Sequence, residues 1–247
     1  MEQQARRIEL NTWPRAEHFQ FYSATSQPFY SLSFQLDVTK LLAFARKEAL
    51  SFYYALVFLC TRAINETEAF SYTIRKDAVW KLSGRAPSFT DLHKGSELFH
   101  IVSMPLSEEM LPLQTDEQMQ LLNRQIGETA CSEMKEAVRR FCREAKEKSE
   151  AQQSFLVKEE ESDELIYFSC LPWLSLTALT NERDFSADDS IPRIAWGKYE
   201  TDPYSGRVCL NLSMEVNHRL IDGIHLGQFA ERLQLWIDSL TMEQKND

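Results

Sequence analysis

The chain has 247 residues, 43% of them hydrophobic and 11% aromatic, a composition that suits a globular protein with a full core and argues against a disordered one. Its formal net charge is −10 and no basic cluster interrupts that balance, so the counterion-displacing face that nucleic acid requires is not expected. The five cysteines (Cys60, Cys131, Cys142, Cys170 and Cys209) are odd in number, widely spaced and free of any CxxC pair, which argues against a disulfide framework or a zinc site and fits a reducing cytoplasm. The first ten residues, "MEQQARRIEL", hold no apolar signal core, and no run approaches the length of a membrane span, so neither a leader nor a membrane helix is expected.

In chain order, "WPRAEHFQFYS" (13–23) predicts a short helix with proline at its first turn. "YSLSFQLDVT" (30–39) alternates apolar and polar residues, the period of a strand. Helices follow at roughly 38–48 and 52–66. "FSYTIRKDAVWKL" predicts a hairpin turning at Lys76-Asp77, and "SFTDLH" and "LFHIVSMP" predict further strands. From Thr115 to about Gln153 the pattern is long, charged and mostly helical, with an interruption at Gly127. "VKEEESDE" (157–164) is a charged loop, and "LIYFSCLPW" (165–173) is a buried strand stopped by Pro172. "IPRIAWGKYE" and "RVCLNLSMEVNH" form two strands joined by the polar turn "TDPYSG". The last helix carries Leu226, Phe229, Leu233, Trp236 and Leu240 on one stripe. Strands and helices are mixed without regular βαβ alternation, which predicts an α/β protein of the α+β type: one domain over 1–247, a two-layer sandwich with a mixed sheet and helices mainly on one face.

The chemistry concentrates at "NHRLIDG" (217–223). Along the strand before it, Val208, Leu210, Leu212, Met214 and Val216 share a face, which His218 continues; Cys209, Asn211, Ser213, Glu215 and Asn217 face the other way. A partly desolvated imidazole favours its neutral form, and a neutral imidazole can accept a proton near pH 7. Taken alone, a buried histidine at a strand end is more often a packed residue, and Asp222 is most simply a helix N-cap. His225 lies just beyond, but without a third spaced ligand no metal site is expected.

The pattern HxxxDG resembles two coenzyme A-dependent acyltransferase groups, the dihydrolipoamide acyltransferase catalytic domains with DHRxxDG and the chloramphenicol acetyltransferases with HHxxxDG. Further landmarks are similar to those of the second group and occur in its order: "WPRAEHFQFY", "SFYYALVFLCTRAIN", "YTIRKDAVW", "SCLPWLSL" and "IAWGKY". Between about 104 and 164 the likeness is slight.

The resemblance implies an O-acetyltransferase moving acetyl from acetyl-CoA, as co-substrate, to the hydroxyl of chloramphenicol or a similar small alcohol. It implies His218 as general base, Asp222 and Arg15 as a structural ion pair, and Ser169 as a donor to the oxyanion of the tetrahedral intermediate. Tyr22, Phe99 and Tyr167 fall at the acceptor pocket, and Lys198 and Trp173 beside coenzyme A. A cytoplasmic homotrimer follows from the same likeness, with His218 from one subunit and the acceptor pocket, Tyr22 included, largely from its neighbour. Four positions depart from the pattern. Asn217 replaces the first, non-catalytic histidine, Ser51 a phosphate-site lysine, Ala195 a threonine that holds a water at the oxyanion, and Asn181 a pocket leucine. Two rivals remain: a stand-alone dihydrolipoamide acyltransferase-like enzyme acylating a thiol, and a non-catalytic binding protein on the same scaffold.

Overall fold

The computed structural model describes residues 5–112, 128–183 and 188–241. Its helices are α1 (Ala16–Ser23), α2 (Thr39–Lys47), α3 (Phe52–Asn65), α4 (Glu128–Ala151) and α5 (Gly223–Ser239). The strands are β1 (Arg6–Arg7), β2 (Phe29–Asp37), β3 (Tyr72–Arg75), β4 (Ala78–Lys81), β5 (Ala86–Leu92), β6 (Phe99–Ser103), β7 (Leu165–Leu171), β8 (Arg193–Gly197), β9 (Glu200–Thr201) and β10 (Val208–Asn217). The predicted helix from Thr115 is seen from residue 128 onward; its earlier part and the interruption at Gly127 lie outside the described residues.

Seven strands form the main sheet in the order β2-β10-β8-β7-β5-β6, with β9 paired to β10. β7 runs parallel to both β5 and β8, while the other pairs are antiparallel, so the sheet is mixed as expected. A second sheet, β1-β4-β3, contains the predicted hairpin. Lys76 and Asp77 at its tip have φ of 51° and 59°, the left-handed pair that a two-residue turn between right-twisted strands demands.

The helices α2, α3, α4 and α5 pack against β10, β5 and β7, β6, and β2 respectively. Because α3 touches the sheet and three other helices, its residues from Tyr54 to Ile64 are buried, Arg62 among them paired with Glu66. Ser51 caps that helix, its hydroxyl accepting from the Tyr54 N–H at 3.3 Å. The α5 stripe of Leu226, Phe229, Leu233, Trp236 and Leu240 is fully buried. Each such side chain contributes about 1.5–3 kcal/mol against exposure.

The second face of β10, which carries Ser213, Glu215 and Asn217, is also covered. These three residues are buried beneath the chain that follows β7. The Leu179 and Asn181 N–H groups donate to Ser213 Oγ at 3.2 Å and Glu215 Oε2 at 2.9 Å, and Arg183 ion-pairs with Glu215 and Asp189. Gly197 permits this layer: a Cβ there would meet the Leu174 carbonyl oxygen at 2.4 Å and Leu176 Cβ at 2.7 Å.

Candidate active site

β10 ends at Asn217, and the His218 N–H still donates to the Pro28 carbonyl at 2.7 Å, so the imidazole leaves from a fixed backbone. The N–H groups of Leu220 and Ile221 both donate to the Asn217 carbonyl at 3.0 Å, and both side chains are buried. The buried Asn217 side chain accepts from the Arg219 N–H at 3.0 Å and donates to the Asp189 carbonyl at 3.0 Å. An amide therefore pins the turn where the resembling pattern has its first histidine.

Asp222 is the N-cap of α5, as its residue type predicted. Arg15, at the start of α1, reaches across to it. Arg15 Nη2 donates to Asp222 Oδ1 at 2.6 Å, and Nη1 pairs with Oδ2. The same guanidinium donates to the carbonyls of Arg219 at 3.0 Å and His218 at 2.8 Å. Two carbonyls of the turn and the first residue of α5 are thus gathered on one planar cation, which suits the fork geometry of arginine. The predicted pairing of Arg15 with Asp222 is present, and its hydrogen bonds hold the Asp222 carboxyl below the usual range.

His218 Nε2 approaches Asp222 Oδ1 to 3.3 Å. The Tyr22 ring stacks on the imidazole at 4.0 Å and the Tyr30 ring lies at 4.5 Å. Burial depresses the His218 pKa; the Asp222 carboxylate opposes that shift, and Arg15 and His18 add to it. Burial thus favours the neutral imidazole, which is held between an aromatic wall and a carboxylate. Burial likewise pushes the Tyr30 hydroxyl up to about 12. Tyr22 contacts His218 of its own chain, which corrects the expectation that a neighbouring subunit supplies it.

Ser169 stands elsewhere. In register it pairs with Ala195, which pairs with Ser213, making a row across three strands on the face away from the helices. His218 lies five residues beyond Ser213 along β10. With about 3.3 Å per residue and about 4.8 Å between strands, Ser169 and His218 of one chain are on the order of 20 Å apart. Among the described residues the Ser169 hydroxyl makes no hydrogen bond, and the residue is half-buried.

Tyr167 shares that face of β7, donates to Glu161 Oε2 at 2.9 Å and lies under the Arg193 guanidinium. Its pKa is raised by burial and then by Glu161. Phe99 opens β6, half exposed and edge-on to Phe155 at 5.6 Å. Trp173, just past β7, is 70% exposed, and Lys198 after Gly197 is exposed as well. Eight of the nine expected site residues therefore fall into two groups in one chain, and Phe99 stands apart on the edge strand β6. Arg15, Tyr22, His218 and Asp222 meet at the β10–α5 turn, whereas Ser169 and Tyr167, with Trp173 and Lys198 near their strand ends, belong to the central strands.

Two contributors were missed in the sequence. Tyr30 was read only as a strand residue, and its contact with His218 arises from the β2–β10 pairing, in which Tyr30 faces Val216. The sequence suggests for His225 no more than an incomplete metal pair with His218, yet its Nδ1 accepts from the Asp222 N–H at 2.9 Å. The signal was present: three residues past an N-cap is the place of the reciprocal partner in a capping box.

Residues 4–234 match the family model described as chloramphenicol acetyltransferase. The chain belongs to the chloramphenicol acetyltransferase family. Chloramphenicol acetyltransferase 2 of Escherichia coli is 26% identical, over 95% of this chain and 97% of its own. A solved chloramphenicol acetyltransferase superposes with a TM-score of 0.68 at 19% identity, covering 95% of this chain and 98% of that one. A solved dihydrolipoamide acetyltransferase of Azotobacter vinelandii superposes with a TM-score of 0.58 at 18% identity, covering 90% of this chain and 86% of that one. At those identities the two structures show a shared fold.

Proposed function

We propose that this protein transfers acetyl from acetyl-CoA to the hydroxyl of a small alcohol, chloramphenicol or one like it, with His218 as general base. The observation that carries the reading is the imidazole of His218, stacked on Tyr22 and set against the Asp222 carboxylate that Arg15 holds, in a chain of this family. The unprotonated ring nitrogen takes the acceptor's hydroxyl proton as its oxygen attacks the thioester carbonyl. The tetrahedral intermediate then collapses, the C–S bond breaks, and the coenzyme A thiolate recovers the proton from the imidazolium.

Ser169 is the proposed oxyanion donor, and its free hydroxyl in a half-buried strand suits that task. The distance to His218 within one chain excludes this pairing in an isolated subunit, so the reading requires His218 of one copy to meet Ser169 of another. That requirement calls for more than one copy, and the proposed assembly is a homotrimer with sites between subunits. Exposed Phe21, Trp173 and Leu174 are apolar surface of the kind an assembly covers. Phe99 and Tyr167 would line the acceptor pocket, and Lys198 and Trp173 would meet coenzyme A, with Lys198 as a point charge for a phosphate. Ser51, committed to capping α3, offers no such charge. The odd number and wide spacing of the cysteines suit the cytoplasm, where acetyl-CoA is at hand. With chloramphenicol as the acceptor, the physiological outcome would be antibiotic resistance.

A thiol-release assay with acetyl-CoA and a panel of alcohols and thiols tests the reading. Release with an alcohol, accompanied by an O-acetyl ester, is expected. Release with dihydrolipoamide alone would favour thiol acylation, and no release with any acceptor would favour a binding protein on the same scaffold.

A further inference from the structure

We propose that His225 is a positioning residue for the transfer reaction: its neutral imidazole accepts the Asp222 backbone N–H and thereby sets the direction from which the Asp222 carboxylate braces His218. The inference rests on the reading of His218 as the base. Asp222 occupies extended backbone, φ −110° and ψ 169°, immediately before the first turn of α5. Its N–H points at His225 Nδ1 at 2.9 Å, while its carboxylate meets Arg15 Nη2 at 2.6 Å and His218 Nε2 at 3.3 Å. One residue is therefore held from both sides, by Arg15 through the carboxylate and by His225 through the backbone.

A glutamate or glutamine commonly closes a capping box from this position. An imidazole does so only while Nδ1 carries no proton, which fixes the Nε2–H tautomer. Protonation puts a donor against a donor and opens the box. Burial and the Arg15 charge resist that protonation, and the Asp222 carboxylate favours it; these are the charged groups that bear on the ring. The brace is therefore acid-sensitive in its own right, apart from any titration of His218.

Native protein, His225→Ala and His225→Gln separate this role from simple packing. Alanine is expected to lower kcat roughly tenfold, within the hundredfold that a misplacement of about 1 Å can cost. KM for acetyl-CoA should be unchanged. Glutamine supplies an acceptor without titrating and should recover most of the loss. Melting temperature against pH gives a second readout that needs no activity. The folded pKa of His225 is depressed, so the unfolded chain takes up the proton first as pH falls. Native protein should then lose stability relative to His225→Gln as pH drops below about 6.5, and the difference should be constant above it. A pH-independent difference in melting, or native kcat in His225→Ala, would overturn the proposal. Were the native protein inactive with every acceptor, the functional reading would fall while the melting series still decided whether His225 holds the turn.

Discussion

His218, the proposed base, is held in place from three sides. Its backbone is bonded to Pro28, its carbonyl to Arg15, and its ring is stacked under Tyr22. His218→Ala should lower kcat by roughly a hundredfold to ten-thousandfold, the span of general base catalysis, without a comparable change in KM for acetyl-CoA. Near-native turnover would remove His218 from that role. Because burial depresses its pKa, the neutral form persists to lower pH than in a free imidazole. The acid limb of kcat/KM should therefore fall below about 6.5, and a midpoint above that value would contradict the assignment. Ala195 bears on the opposite partner. It adjoins Ser169 in the register and is 1% exposed. Ala195→Thr should raise kcat for O-acetylation by restoring a hydroxyl beside Ser169. The extra hydroxyl and methyl should also lower the melting temperature, since overpacking typically costs about 1–3 kcal/mol. Chloramphenicol turnover already equal to that of typical relatives, and unchanged by the threonine, would count against this reading.

The unit that holds the proposed base is one strand, one turn and one helix, joined by an arginine from another element. Asp222→Asn keeps the shape and removes the charge that Arg15 holds. The Arg15 and Asp222 side chains are 13% and 29% exposed, so the pair lies between a surface and a buried one, and the loss should be about 1–3 kcal/mol. Arg15 holds the folded pKa of Asp222 down, so its stabilisation is present above the unfolded value, about 3.9, and is lost as pH falls through the folded value. The melting difference between native protein and Asp222→Asn should shrink below about pH 4. Unchanged melting with lost activity would instead assign Asp222 a direct chemical part. Much of this unit was legible in the sequence. Alternation marked β10, the Asp-Gly pair marked the start of α5, and the apolar stripe marked the buried face of that helix. The Arg15–Asp222 pair, 207 positions apart, was legible only through the family likeness, because no local periodicity links such distant residues. The buried second face of β10 was not legible. Ser213, Glu215 and Asn217 look solvated until the segment after β7 lies over them and Arg183 pairs with Glu215.

At the scale of the whole molecule, the fold separates the two residues that the proposed reaction brings together. The mixed sheet sets Ser169 two strands away from β10 and level with Ser213, while His218 stands past the end of that strand. No side-chain motion spans that gap within a rigid sheet. The proposed chemistry therefore demands a second copy, and a mass in solution equal to a single chain at working concentration would contradict it. The sharpest measurement is complementation between two inactive variants, His218→Ala and Ser169→Ala, dissociated, mixed in equal amounts and reassembled. Random mixing in a closed ring joins an intact His218 to an intact Ser169 across about a quarter of the interfaces, so about a quarter of native activity should return. Activity no greater than the sum of the two variants alone would contradict a shared site and, with it, the pairing of His218 with Ser169.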